Sequence, residues 1–235
     1  NVDLKLWIAE KFACAIFTSA KESFRLKSKK VMVVGHGIEV NKFKIQNSKF
    51  KSGGGILQIV SVGRITPIKN LDLLVETCGI LKQQGVDFHA KIIGKPSVGS
   101  DHVYFEQLKK LVIAKKLERE VEFTGSVPNS EVARDYWESD VEINLWPTGG
   151  IDKVVLEAMA AGTISVVSNT AFRKYFGEYE KELIFQERKA RDLTEKINSY
   201  FSTTLPTTHT YELRMAAYDP AKPETINEKI KQKIH

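Results

Sequence analysis

Apolar positions along this chain switch repeatedly between two rhythms: short β-rich runs, and longer stretches in which apolar residues recur at helical spacing. Helical spacing over Leu4–Phe12 gives way to an apolar, strand-like run at Ala13–Thr18. Ser19 stands as a cap ahead of a helix expected over Lys21–Leu26, and Val31–Val34 reads as a short buried strand broken by His36-Gly37. A polar stretch, Asn41–Gly55, closes with Gly53-Gly54-Gly55 and reads as a linker between two structural units. Beyond it the alternation becomes regular. The pattern predicts strands at Ile56–Val62, Phe88–Ile93, Val121–Thr124, Val141–Trp146, Ile164–Ser168 and, shorter, Leu183–Phe185. It predicts helices from Asn70 to Gly85, over Tyr104–Leu117, Ser130–Trp137 and Val154–Ala161, and through Leu193, Ile197 and Tyr200.

Strands that alternate with helices of about ten residues imply right-handed βαβ units and a parallel sheet covered on both faces. The expected class is therefore α/β, a Rossmann-like doubly wound parallel sheet from about Ile56 to Ser202. Residues 1–44 read as the end of a preceding domain and a connecting segment, 45–205 as the Rossmann-like domain, and 206–235 as a helical tail. Ligands of such sheets sit beyond the carboxyl ends of the strands. The loops after Val62, Ile93, Thr124, Trp146 and Ser168 are the ones to inspect.

Composition narrows the class without choosing a partner. At 235 residues and 42% hydrophobic content, the chain has enough apolar material for one large core or two small ones. No run approaches the roughly 18–20 apolar residues of a membrane span. The opening NVDLKLWIAE has no signal-peptide pattern and no initiator Met, so a piece of a longer protein is expected. A net charge of +6 is compatible with nucleic acid, an anionic membrane face or a phosphate-bearing ligand. The lysines are spread over predicted helix faces and loops, however, so charge by itself decides nothing. Cys14 and Cys78 both lie in apolar patterns and are expected to be buried free thiols in a reducing compartment.

Two turns hold residues suited to chemistry. In VGRITPIKN, Gly63 lets the chain turn at a strand end, and Arg64 and Lys69 flank the next helix start. Two cations there suit a diphosphate, although solvated surface is the commoner role for either one alone. In PTGGIDKVVLEAMAAG, Gly149-Gly150 permits close backbone approach, and the following helix offers free amides around Asp152, Lys153 and Val154. Glu157, one turn further along an otherwise apolar helix, suits a hydroxyl donor such as ribose, or equally a surface pair with a lysine.

Other chemistries lack their motifs. There is no GxGxxG after a strand, no GxxxxGK[ST] and no G-x-S-x-G. The histidines are scattered, and the one HxxE, His36 with Glu39, lies in a predicted turn without further ligands, so no metal site is expected. No strand interleaves aromatic and basic residues as RNA-binding sheets do, and nucleic acid is not expected as a partner.

Four segments in order resemble the retaining, nucleotide-sugar-dependent glycosyltransferases of family 4, the group 1 glycosyl transferases of GT-B fold. VVGHGIEVNKF (Val33–Phe43) resembles the family's interdomain stretch I-P-N-G-V-D-x-x-x-F, and VSVGRITPIKNLDLLVE its V-G-R-L-x-x-x-K-G-x-x-x-L-L. EREVEFTGSVPNSEVARDYWESDVEINLWP resembles the stretch from x-V-x-F-L-G-x-V to Y-x-x-A-D-V-x-V-x-P. GGIDKVVLEAMAAGTISVVSN resembles E-x-F-G-L-V-V-L-E-A-M-A-x-G-x-P-V-V-x-S. The resemblance covers the C-terminal, donor-binding domain of a two-domain enzyme, plus the closing elements of the N-terminal domain.

It implies transfer of a sugar from a nucleoside-diphosphate donor with retention, without a metal or other cofactor. Arg64 and Lys69 match the pair that holds the diphosphate and stabilises the leaving group. Val127 matches the residue beside the nucleobase, with Asn129 near it, and Lys153 and Val154 match the phosphate-facing amides. Glu157 matches the second Glu of the family's paired motif, which bonds the ribose. The first Glu falls on Gly149, and the usual F-G pair on Ile151-Asp152, so Asp152 is a candidate to contact the sugar and the sugar's identity is left open.

The acceptor would come from the absent N-terminal half, so these residues are expected to bind donor without transferring it. A lipid-linked acceptor would place the enzyme in the cytoplasm at the inner face of the membrane. The tail stripe Ile226, Ile230 and Ile234, with its lysines, could lie on a bilayer, although packing on protein is its first reading. A non-catalytic nucleotide-sugar-binding domain, a GT-B epimerase and a sugar-phosphate synthase are the alternatives.

Overall fold

A computed structural model describes residues 4–19, 23–24, 26–34, 37–43, 55–147 and 149–201. Its centre is a five-stranded, wholly parallel sheet of β3 (Leu57–Val62), β4 (Phe88–Ile93), β5 (Val121–Gly125), β6 (Val141–Asn144) and β7 (Ile164–Val167). The spatial order is β5-β4-β3-β6-β7. The chain therefore lays β3, steps outward through β4 and β5, then returns to the other side of β3 for β6 and β7. That reversal creates a switch point between the carboxyl ends of β3 and β6, where doubly wound sheets bind ligands.

Helices α3 (Leu71–Gln83), α4 (Gly99–Ala114) and α9 (Ala190–Phe201) cover one face of the sheet, and α5 (Asn129–Glu138) and α6 (Lys153–Ala160) the other. The inner strand β6 and the edge strand β7 are buried at every position, as strands covered on both faces must be. Helix α3 buries Leu71, Leu74, Val75, Cys78 and Leu81 against the sheet, the stripe expected from its spacing. Truncating any of the three leucines to alanine costs about 2–5 kcal/mol. Phe105 of α4 meets Phe123 of β5 edge to face, with ring centroids 5.1 Å apart.

Ahead of this domain, α1 (Leu4–Phe12) precedes a separate two-stranded parallel sheet of β1 (Ile16–Thr18) and β2 (Val31–Val33). Helix α1 buries none of its residues, and Trp7, Phe12 and Phe17 are all exposed.

Several expectations require correction. Leu183–Phe185 is not a strand. Leu183 ends a helical turn, α8 (Glu180–Leu183), which follows another, α7 (Arg173–Phe176), and only Ile184 forms a single parallel bridge to Val167. The linker begins later than its polarity implied, because Asn41–Phe43 belong to a helical turn, α2 (Val40–Phe43), docked on α5 and α6. Phe43 is buried there, and its carbonyl accepts from Trp137 Nε1 at 2.7 Å. Helix α4 starts at Gly99, five residues before Tyr104, because the Asp101 carboxylate accepts from the amides of Ser97 and Val98 and fixes a first turn with no apolar periodicity. Cys78 is buried, but Cys14 is exposed. Half of the helix expected over Lys21–Leu26, the glycines Gly53 and Gly54, His36 and the tail from residue 202 onward lie outside the described residues.

Candidate functional site

The turn after β3 is shaped by two glycines. Gly94, at φ +148°, ends β4 so close to β3 that a Cβ on it would lie 1.8 Å from the Gly63 carbonyl oxygen. Only glycine satisfies both the dihedral and the space. Gly63 in turn donates its amide to Ile93 at 2.9 Å, which fixes the start of the Arg64 turn. Arg64 then projects exposed at the sheet end. Its charge joins the Thr66 side chain and the Ser97 and Val98 amides in holding Asp101 below the usual carboxylate range, against burial, which alone would raise it. A one-turn 3₁₀ segment, Pro67–Lys69, follows, and Asn70, in the left-handed region at φ 47°, redirects the chain into α3. Asn70 is steadied by donating to the Leu145 carbonyl at 3.0 Å. This turns Lys69 back toward β6.

Three groups converge on Lys69. Its ammonium lies 4.5 Å from the centre of the Trp146 ring, its aliphatic end lies against Gly63, and it forms an ion pair with Asp152. Asp152 occupies the N-cap position of α6, yet its side chain makes no capping bond. Instead the carboxylate takes Lys69 together with the side-chain amide of Asn144 at 3.1 Å. Asn144 is itself oriented by accepting from the Trp146 amide at 3.2 Å.

On the far side of Asp152, Lys153 and Glu157 of α6 line a cavity of about 380 Å³ together with Asn129 of α5 and Lys42 and Phe43 of α2. Glu157 is half-buried. Burial and the neighbouring Asp152 raise its carboxyl above the ordinary value, while Lys153 and Lys42 pull it down. Val127 is partly buried against the cluster that holds Phe43 and Tyr136, and Val154 packs against the main core. Gly149 and Gly150 form the intervening turn, and the Gly149 carbonyl accepts from Ser23 Oγ at 3.3 Å. Nothing lies within 4 Å of where a Cβ on Gly149 would stand.

The structure thus brings Gly63, Arg64 and Lys69 to one side of the switch point, and Asn129, Lys153 and Glu157 to the other, joined through Asp152. Sequence reasoning missed Asn144 and Trp146, which orient the pair, and Lys42, which reaches the cavity from the presumed linker. It also missed Glu142, fully buried in mid-β6 between Val60 and Ser165. The available signal is a glutamate flanked by Val141 and Ile143 in a strand-forming run. Among the described residues no group of three or more His, Cys, Asp or Glu is placed to hold a metal, and no helix is long and apolar enough to cross a membrane.

A parallel switch-point sheet with cations on one loop and an open helix start on the other defines a Rossmann-like half of a GT-B fold. The profile of the family "Glycosyl transferases group 1" matches residues 42–230, and the chain belongs to that family. It is 34% identical over 150 residues to the amylovoran biosynthesis glycosyltransferase AmsK of Erwinia amylovora, covering 60% of this chain and 34% of that protein. The chain spans about a third of the length of the curated relatives it matches. Among solved structures, Anabaena HepE in complex with UDP and glucose superposes with a TM-score of 0.82 at 16% identity, covering 98% of this chain and 65% of that one. The C-terminal domain of the group 1 glycosyl transferase LpcC from Francisella tularensis gives a TM-score of 0.66 at 18% identity, covering 84% of this chain and 98% of that one.

Proposed function

We propose that this chain is the donor-binding half of a retaining sugar transferase that moves a sugar from a nucleoside-diphosphate donor to an acceptor held by a second domain. The observation that carries the reading is the convergence at one switch point of Arg64 and Lys69 with the start of α6 and its half-buried Glu157. Arg64 and Lys69 hold the diphosphate and offset the charge that develops on the leaving group. With the α6 dipole they do this without a metal or other cofactor. The amides of Lys153 and Val154 face the phosphate, and Glu157 accepts from the ribose hydroxyls. Val127 and Asn129 flank the base, while Gly63 shapes the diphosphate turn and Gly149, Gly150 and Asp152 border the sugar.

HepE was solved with UDP and glucose, which supports a uridine nucleotide as the first donor to try. AmsK is named for amylovoran biosynthesis, which supports a growing glycan as acceptor. A lipid-linked glycan at the inner, cytoplasmic face of a membrane is the acceptor class that fits the basic balance of the chain. Calorimetric titration with UDP-, GDP- and ADP-sugars and with an oligonucleotide, each at two salt concentrations, tests the reading. One nucleotide sugar binds and the oligonucleotide does not. Tight, steeply salt-dependent oligonucleotide binding without a nucleotide-sugar signal overturns it.

A further inference from the structure

The Lys69–Asp152 ion pair spans 83 residues of sequence and is largely enclosed, with the two side chains 13% and 17% exposed. An aspartate at a helix N-cap ordinarily turns its carboxylate onto the amides of the first turn. Asp152 does not: its backbone is extended and the helix amides receive nothing from it. The carboxylate is held outward on Lys69 by two further contacts, the Asn144 amide on the same oxygen and the Trp146 ring under the ammonium. The cation assigned to the diphosphate is therefore already satisfied by an anion from the chain itself, beside a helix start that this side chain leaves uncapped.

We propose that Asp152 is an internal competitor for Lys69, an affinity-determining residue that an incoming diphosphate must displace from the ammonium. This rests on the reading of Arg64 and Lys69 as a diphosphate clamp. Binding is then an exchange in which one carboxylate oxygen leaves Lys69 and one phosphate oxygen takes its place. No proton or covalent bond moves. The ammonium is never left unpaired in the enclosed crevice, where a bare charge is expensive. The same contact weakens every diphosphate ligand by the strength of the pair it breaks. Asp152 also stands near Glu157, whose carboxyl it helps to raise, so an anion entering between them meets two carboxylates until Asp152 swings away.

The test is a binding cycle read by calorimetry with UDP, GDP and ADP, using whichever binds the parent chain most tightly. Asp152→Asn keeps an oxygen for Asn144 and removes the charge, and Asp152→Ala is a second variant that does not depend on that hydrogen bond. Each is expected to bind the nucleotide about tenfold more tightly than the parent, the scale of a hydrogen bond to a charged group. Lys69→Met should weaken binding, and adding Asp152→Asn to it should restore nothing. The proposal is overturned, with the clamp intact, if the Asp152 variants bind no more tightly than the parent while Lys69→Met loses affinity. It is overturned equally if Asp152→Asn strengthens binding as much in the Lys69→Met background, because the effect would then be general charge. If Lys69→Met binds as the parent does, the clamp reading fails and the proposal falls with it.

Discussion

Replacing Glu142 with glutamine should abolish a large part of the chain's loss of stability as pH rises. Glu142 lies in mid-strand with no solvent exposure, and neither carboxylate oxygen has a hydrogen-bond partner among the described residues. Burial pushes its carboxyl up to about 8, from an ordinary 4.5. The nearby Asp152 charge adds to the shift, and Ser165, Lys69 and Asn144 partly oppose it. Between those two pH values the unfolded chain has released a proton that the folded chain still holds. Rising pH therefore favours the unfolded state: the contribution of Glu142 is full below 4.5 and lost by about 8. At about 1.4 kcal/mol per pH unit, the window corresponds to about 5 kcal/mol. Glutamine has no such titration. It keeps the shape and leaves a constant offset of about 1–3 kcal/mol for its own buried amide. Urea unfolding of parent and Glu142→Gln across this range reads the difference, from which titrating groups that do not interact with Glu142 cancel. The stability of the variant minus that of the parent should climb by about 1.4 kcal/mol per pH unit and level off near pH 8. A difference that stays flat with pH would refute the argument that Glu142 is folded with its proton.

Arg64→Ala and Lys69→Ala should each weaken nucleoside diphosphate binding by about 1.5–3 kcal/mol in calorimetry, and unchanged affinity in both would remove the clamp. Gly94→Ala drives a Cβ into the Gly63 carbonyl at a positive φ, and thermal unfolding should show a loss of at least about 1–3 kcal/mol. A melting temperature like the parent's would show that the two turns are not in close contact. Gly149→Glu enters open space, so stability should stay within about 0.5 kcal/mol of the parent. The new carboxylate should raise the preference for an intact nucleotide sugar over the bare diphosphate, and a preference that stays put would move the sugar away from this turn.

What the sequence shows well is whatever is encoded within one element. The stripe Leu71, Leu74, Val75, Cys78 and Leu81 marks α3, and the run Phe88–Ile93 coincides with β4, because burial repeats at the period of the backbone itself. The glycine-bearing turns around Arg64 and Gly149 are legible for the same reason, since turn chemistry is local. Elements whose form depends on a distant partner are not. Phe43 reads as the first apolar residue of a polar linker until Trp137, 94 positions away, donates to its carbonyl. Leu183 and Phe185 look like a strand because both are buried, but a helical turn in front and one rung to Val167 explain that burial. In the site, the residue types and their loops were readable, whereas the pairing of Lys69 with Asp152 was not. Nothing in either loop's own pattern shows that two turns 83 residues apart meet, or that Asn144 and Trp146 aim them.

The central claim is that a nucleoside diphosphate binds across the switch point between β3 and β6, and amide chemical shifts recorded during a titration with UDP test it most directly. The account predicts the largest changes at Gly63 and Arg64, at Asp152 through Val154, and around Val127 and Asn129, with the α3, α4 and α9 face undisturbed. Saturable shifts confined to that opposite face, or to α1 and the β1–β2 pair, would contradict it.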